Sequence, residues 1–412
     1  MNLKSIVPDR ISRSAKLFLG AATLNGFGNG ITNVVMLLYF LSLGFDSAAL
    51  GTILMMQPIS TVLLLIPSGI LADRYGVKKI LLAITFPFGL FGILILTARS
   101  LEIFMLAFLV MGIVEAAAGV ALGPMYSSFF DSKDMDRAFG LQGFLNIISR
   151  SAGSLMGFAP PMLVANYGYS LQAAYWTMLF VGLVFFIAQM PLYLLSVWGV
   201  NEPRRQGIPK FNLRSKGVVA KFSFLYIVGN IGFGAFFNFF PYYVNRKFGV
   251  QSDALGALYF ASNFVQAGAN IIAPRISRRI GTVKTIALSY VLCTPFWAMF
   301  PLAPNFTGLF ALYLIRFGLG NLSSPLVGSL YMKLLYRDEK ATANSITMIA
   351  SYGGNIVAPK LGGQLMEQVS LDFPAYLGSG IYACLAASYY LLLRNEKEKE
   401  IEQVQVEEHS KE

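Results

Sequence analysis

Glu115 is the one acid deep inside an apolar stretch of this 412-residue chain, and Arg150 and Arg316 are the two such bases. A carboxyl in a low-dielectric setting has its pKa raised, and a neighbouring guanidinium lowers it by roughly one or two units. A group so placed can therefore take and release a proton as its surroundings change. Glu115 lies about fourteen residues into its stretch and Arg150 about thirteen into the next. At 1.5 Å per residue, antiparallel neighbours bring the two to a similar depth, which predicts an ion pair: functional, or a tie between two helices. Gln142, Asn146 and Arg150 recur at i, i+4, i+8, as do Asn25, Asn29 and Asn33. Each set forms a stripe on one helix face, suited to hydrogen-bonding a polar solute or to interhelical amide bonds. Arg316 has no acid in the apolar stretches of its own half, so it meets Glu115, reaches water or awaits an anionic solute. The sole histidine, His409, lies in a charged tail, and the two cysteines, Cys293 and Cys384, lie in apolar runs. These exclude a histidine relay, a His-ligated metal in the apolar stretches and a disulfide framework. The absence of a Gly-Lys dipeptide excludes the G-x-x-x-x-G-K-[ST] phosphate loop, so no cofactor and no enzyme activity are expected.

What must hold these residues is a membrane-embedded helical body. The chain is 55% hydrophobic and only 13% charged, against about a quarter charged in soluble domains. Apolar runs long enough to span a bilayer fall near 16–43, 48–72, 80–98, 102–130, 138–165, 171–198, 222–245, 254–274, 285–303, 306–335, 341–366 and 375–393. These are spans one to twelve, an all-α membrane protein. The first run is too long for a signal-peptide core and reads as a retained span. Spans three, nine and twelve lack Asn, Gln and charge in their interiors, and span six has only Gln189. Every third helix is therefore expected to face lipid, the other eight surrounding a polar path.

With the N-terminus inside, cytoplasmic segments and span ends hold 26 of the 32 lysines and arginines. The bias places both termini in the cytoplasm and makes the net charge of +11 topogenic, so no nucleic-acid partner is expected. An internal repeat stands at an offset of 205 residues: Leu43-Gly-Phe-Asp-Ser-Ala-Ala-Leu-Gly51 over Phe248-Gly-Val-Gln-Ser-Asp-Ala-Leu-Gly256, with Gly76 over Gly281 and Asn25 over Asn230. Six spans are duplicated in parallel. The expected organisation is an N-terminal bundle at 1–197, a basic cytoplasmic linker at 198–221, a C-terminal bundle at 222–393 and a charged tail at 394–412.

Between spans two and three stands Gly69-Ile-Leu-Ala-Asp73-Arg74-Tyr-Gly76-Val-Lys78-Lys79-Ile-Leu81. This resembles the G-x-L-a-D-R-x-G-r-k-x-x-l loop of the major facilitator superfamily, departing only at Val77, where a basic residue is usual. Pro274 to Lys284 keeps the glycine and the positive charge and lacks the acid. Gly69 suits close helix approach and Gly76 a tight turn. The resemblance implies that Asp73 faces the start of span eleven and that Arg74 joins a charge cluster latching the cytoplasmic side, with Asp131, Asp134 or Asp136 as its acid. Gly153-x-x-x-Gly157 before Ala159-Pro160-Pro161 is a weak match to an element of drug/proton antiporters, and small-residue packing explains it without export. Glu115 with Arg150 resembles the pair holding sugar hydroxyls in oligosaccharide/proton symporters, whose second-half proton carriers have no counterpart here.

The resemblance implies two pseudo-symmetric six-helix bundles rocking about a midplane site. The expected function is secondary transport of a small polar organic solute by alternating access, driven by protons through Glu115. Export of amphipathic drugs is the alternative, and a non-transporting receptor or lipid-handling protein the alternative of another class. The expected partners are the solute, protons and the bilayer of a prokaryotic cell membrane, with the chain a monomer.

Overall fold

The computed structural model describes residues 8, 11–130, 134–198, 213–336 and 339–396. Asp131, His409, most of the linker and most of the tail lie outside these, as do the side chains of Asp136 and Ala341. Among the described residues the regular structure is helical, with no strand. Among the described residues nine stretches are long and apolar enough to cross a membrane: Arg13–Ser42, Ser47–Tyr75, Val77–Thr97, Leu101–Ser127, Leu171–Ser196, Lys216–Phe248, Thr282–Leu302, Phe306–Lys333 and Phe373–Leu393. Spans five (135–167), eight (Ser252–Ile280) and eleven (Lys340–Gln368) are comparably long but more polar, carrying such residues as Gln142, Arg150, Gln266 and Lys360. Each expected span thus corresponds to a helical stretch.

Local chemistry sets the helix starts and breaks. Ser12, Asp46, Ser170 and Asn305 stand just before helices, and their side chains accept the free N–H groups of Ala15, Ala49, Ala173 and Gly308. Span five breaks after Leu155 into a single 3-10 turn, Met156–Phe158, and resumes as Ala159–Tyr167 with Pro160 and Pro161 in its first turn. Proline is tolerated there because first-turn N–H groups have no partner within the helix. Span seven breaks between Phe237 and Phe240, ahead of Pro241.

Backbone contacts divide the described chain into two compact units, bounded as Met1–Ile208 with Pro241–Asn263 and as Pro209–Phe240 with Phe264–Glu412. In the first unit, span one packs on spans five and six, and span four on spans two and three. The approach of spans one and five is set by glycine: a Cβ on Gly30 would meet the Arg150 carbonyl oxygen and the Gly153 Cα, and one on Gly153 the Phe27 carbonyl oxygen. Small residues let helix backbones come this near. In the second unit, span seven packs on spans eleven and twelve, and span nine on spans ten and twelve.

The repeat is visible within each unit. The Tyr126 hydroxyl donates to the Ala138 carbonyl at 2.8 Å, and 205 residues on, Tyr331 donates to Ala343 at 2.8 Å. The rings of Phe18 and Tyr126 lie 4.9 Å apart, and those of Phe222, one position short of the offset, and Tyr331 lie 4.7 Å apart. Gly76 and Gly281 have φ of 88° and 91°, a region that disfavours any residue with a Cβ.

Candidate functional site

The intramembrane hydroxyls and amides donate mostly to backbone carbonyls one turn back in their own helices, and a few side-chain pairs tie one span to another. Glu115, half-buried on span four, accepts a hydrogen bond on Oε2 from Gln57 Nε2 of span two at 2.5 Å. Gln57 is thus the hydrogen-bond partner of Glu115, signalled in the sequence only as one polar side chain in an apolar helix. Arg150 is exposed on span five and makes no ion pair among the described residues. The pairing expected from equal depth gives way to the Gln57–Glu115 contact, because residue count fixes a side chain's height along a helix and leaves its azimuth open. Asn29 Nδ2 donates to the Asn25 Oδ1 and carbonyl oxygens, both at 2.9 Å, so part of the span-one stripe satisfies itself. Gln142 and Asn146 are half-buried beside Arg150. Asn230 bonds to Ser351 Oγ at 2.9 Å, and Gln266 to Asn321 at 2.9 Å. These polar ties join span seven to eleven and span eight to ten.

Arg316 has a different setting. It is 3% exposed. Its guanidinium carbon lies 4.2 Å from the ring centroid of Phe237, 4.4 Å from Trp297, 5.1 Å from Tyr382 and 5.6 Å from Phe233. Four rings from spans seven, nine and twelve form a cage in which cation–π attraction offsets part of the desolvation of the charge. The backbone carbonyl of Arg316 accepts from Cys293 Sγ at 3.4 Å. The cage draws on residues 149 positions apart in the chain (Phe233 to Tyr382) and has no sequence signature.

In the loop motif, the Gly76 N–H closes the helix on the Ala72 carbonyl at 2.9 Å. Asp73, Arg74 and Lys79 are exposed; Arg74 lies over the Tyr75 ring, and Lys78 over Trp198 at 4.8 Å. No described atom comes within 4 Å of the place a Cβ would take on Gly69. Among the described residues no neighbouring helix makes the close approach expected at Gly69.

In the second unit lies a carboxylate that sequence reasoning missed. Glu339, 1% exposed, precedes span eleven and accepts backbone N–H groups from Arg214 (2.6 Å), Ser215 (3.1 Å) and Tyr336 (3.2 Å). Burial works to raise its pKa. The Ser215 side chain and the three backbone donors together outweigh it, holding the carboxyl below its usual range. The Arg214 guanidinium stacks 4.9 Å from the Tyr336 ring, and Lys221 pairs with Glu396 at 2.5 Å. The only available signal was the repeat, since Glu339 stands 205 residues after Asp134, which precedes the helix of span five.

The family model described as Major Facilitator Superfamily matches residues 18–221 and 222–411, nearly the whole chain. The chain belongs to the major facilitator superfamily, and is a multi-pass integral membrane transporter of that fold. Among solved structures it is similar to a mutant of the nucleoside transporter NupG (TM-score 0.74, 15% identity, 92% of this chain and 100% of that one). It is also similar to a bacterial homolog of the human lysosomal transporter Spinster, in an inward-facing and occupied conformation (0.71, 15%, 92% and 96%). An auto-inhibited peptide transporter of the POT family is a third (0.74, 11%, 94% and 98%). At these identities the likeness is one of fold. No curated protein matches the sequence.

Proposed function

We propose that the protein is a secondary transporter that moves a small polar organic solute by alternating access, with proton movement coupled through Glu115. The observation that carries this reading is the Gln57–Glu115 contact: the one acid deep in a span is half-buried and held by a neutral amide donor. An amide can hydrogen-bond either protonation state of a carboxyl, so this contact can persist whether or not Glu115 carries a proton. Gln142, Asn146, Arg150, Asn25, Asn29, Asn230 and Arg316 supply solute-binding donors and acceptors in this account. Gly69, Asp73, Arg74, Gly76, Lys78 and Lys79 form a cytoplasmic latch. Both termini are cytoplasmic, the functional halves are 1–197 and 222–393, and the chain works as a monomer in a prokaryotic cell membrane.

The test is transport in proteoliposomes. An imposed pH gradient should drive solute accumulation by the native protein. Glu115→Gln should retain counterflow, which needs only alternating access, and lose accumulation. Native transport indifferent to the gradient, or accumulation by Glu115→Gln, would place coupling elsewhere or make the protein a uniporter.

A further inference from the structure

The Arg316 cage is incomplete in one direction. Aromatic rings engage the faces of a guanidinium, whereas its five N–H donors point outward in its own plane. Arg316 Nε is buried and has no hydrogen-bond partner. The helices that build the cage, Lys216–Phe237, Thr282–Ala298, Phe306–Asn321 and Phe373–Leu393, contain no aspartate or glutamate. The Tyr382 hydroxyl meets part of the guanidinium's donor set, and a buried charge with cushioned faces and an unmet Nε edge is costly to keep. A planar anion that accepts from Nε and the adjacent amino group would satisfy that edge by a bidentate contact.

We infer that Arg316 is the anion-recognising group of this transporter, and that its solute carries a carboxylate, with an apolar body resting on the rings of Phe233, Phe237, Trp297 and Tyr382. The inference rests on the transporter reading and narrows its solute class. One guanidinium matches one monoanion. A phosphate dianion would bring a second charge into a wall of aromatic carbon that offers it no second cation. Nε is shut off from solvent in this conformation, so the carboxylate enters while the rings are parted and is enclosed when they close.

The experiment is thermal stabilisation of the purified full-length protein in detergent, at constant ionic strength, by matched acids and amides: benzoate and benzamide, indole-3-acetate and indole-3-acetamide, lactate and lactamide, with phenyl phosphate as a separate arm. At least one acid should raise the melting temperature by several degrees in a saturable way while its amide does not. Arg316→Gln should weaken that acid's apparent affinity at least tenfold, and Arg316→Lys less. A purely packing arginine predicts a lower starting melting temperature for Arg316→Gln and an unchanged ligand shift, which overturns the inference. So do equal responses to acid and amide, no response to any acid, or a response to phenyl phosphate alone. Should Arg316→Gln fail to fold, Trp297 serves as reporter in a Trp176→Phe, Trp198→Phe background: acid but not amide should change its emission, and equal effects overturn the inference. The measurement needs no gradient and no transport. Acid-selective stabilisation without counterflow sinks the transport reading alone, and counterflow without acid selectivity sinks this inference alone.

Discussion

Replacing Glu339 by glutamine removes one charge and exchanges one acceptor oxygen for a donor, at a point where three backbone N–H groups converge. Oε2 takes the Arg214 and Ser215 donors and Oε1 takes Tyr336. In its better orientation the new amide keeps its oxygen on Arg214 and Ser215 and turns its NH2 toward the Tyr336 N–H. One bond to a charged acceptor, worth about 1.5–3 kcal/mol, is lost, and the other two fall to neutral strength. The expected cost is about 3.5–6 kcal/mol, or roughly 7–24 °C in the melting temperature of a unit this size. The pH dependence has a definite sign. The native carboxyl titrates below the ordinary value of 4.5, so its contribution is complete above that value and is lost as pH falls through the depressed native pKa. The gap between native and Glu339→Gln should thus be constant from pH 8 to 6 and narrow below about 4.5. The repeat supplies a control: among the described residues Asp134 makes a 3.5 Å pair with a half-exposed Arg137, and Asp134→Asn should shift stability by less than about 0.5 kcal/mol. The assay is the melting curve of detergent-purified protein. A Glu339→Gln variant within a degree of native at neutral pH refutes the reasoning.

Three further outcomes follow from the same contacts. Tyr331→Phe and Tyr126→Phe each lose one buried hydrogen bond to a carbonyl and should each cost about 1–2 kcal/mol; melting curves in which only one destabilises would show that the repeat is not energetically symmetric. Gly30→Ala puts a Cβ against the Arg150 carbonyl and should cost about 1–3 kcal/mol or abolish folding, whereas Gly69→Ala meets open space and should melt as native. Asp73→Asn should slow solute uptake while leaving ligand-induced stabilisation intact, because Asp73 is exposed at the loop and outside the solute-binding set; uptake at the native rate would remove it from the latch.

Composition and period carried the architecture into view because bilayer thickness and duplication act on the sequence directly. The 205-residue offset found in two short strings reappears in Gly76 and Gly281 and in the paired tyrosines. Side-chain partners were less legible. Depth counting brought Glu115 and Arg150 level, yet helix rotation gives Glu115 to Gln57 and leaves Arg150 exposed. Trp297 packs on a guanidinium supplied by another helix, which no local pattern around it signals. Nothing local to Glu339 marks a carboxylate buried by the segment leading into span seven.

The central claim is that a proton moves with the solute through Glu115. Its most direct test is a pH-sensitive dye trapped inside proteoliposomes containing the native protein, with a screened ligand added outside in the absence of any imposed gradient. The account predicts a ligand-dependent change in lumenal pH, saturable in ligand, and none with Glu115→Gln although that variant still performs counterflow. Ligand entry without a pH change in the native protein, or an undiminished change with Glu115→Gln, would contradict it.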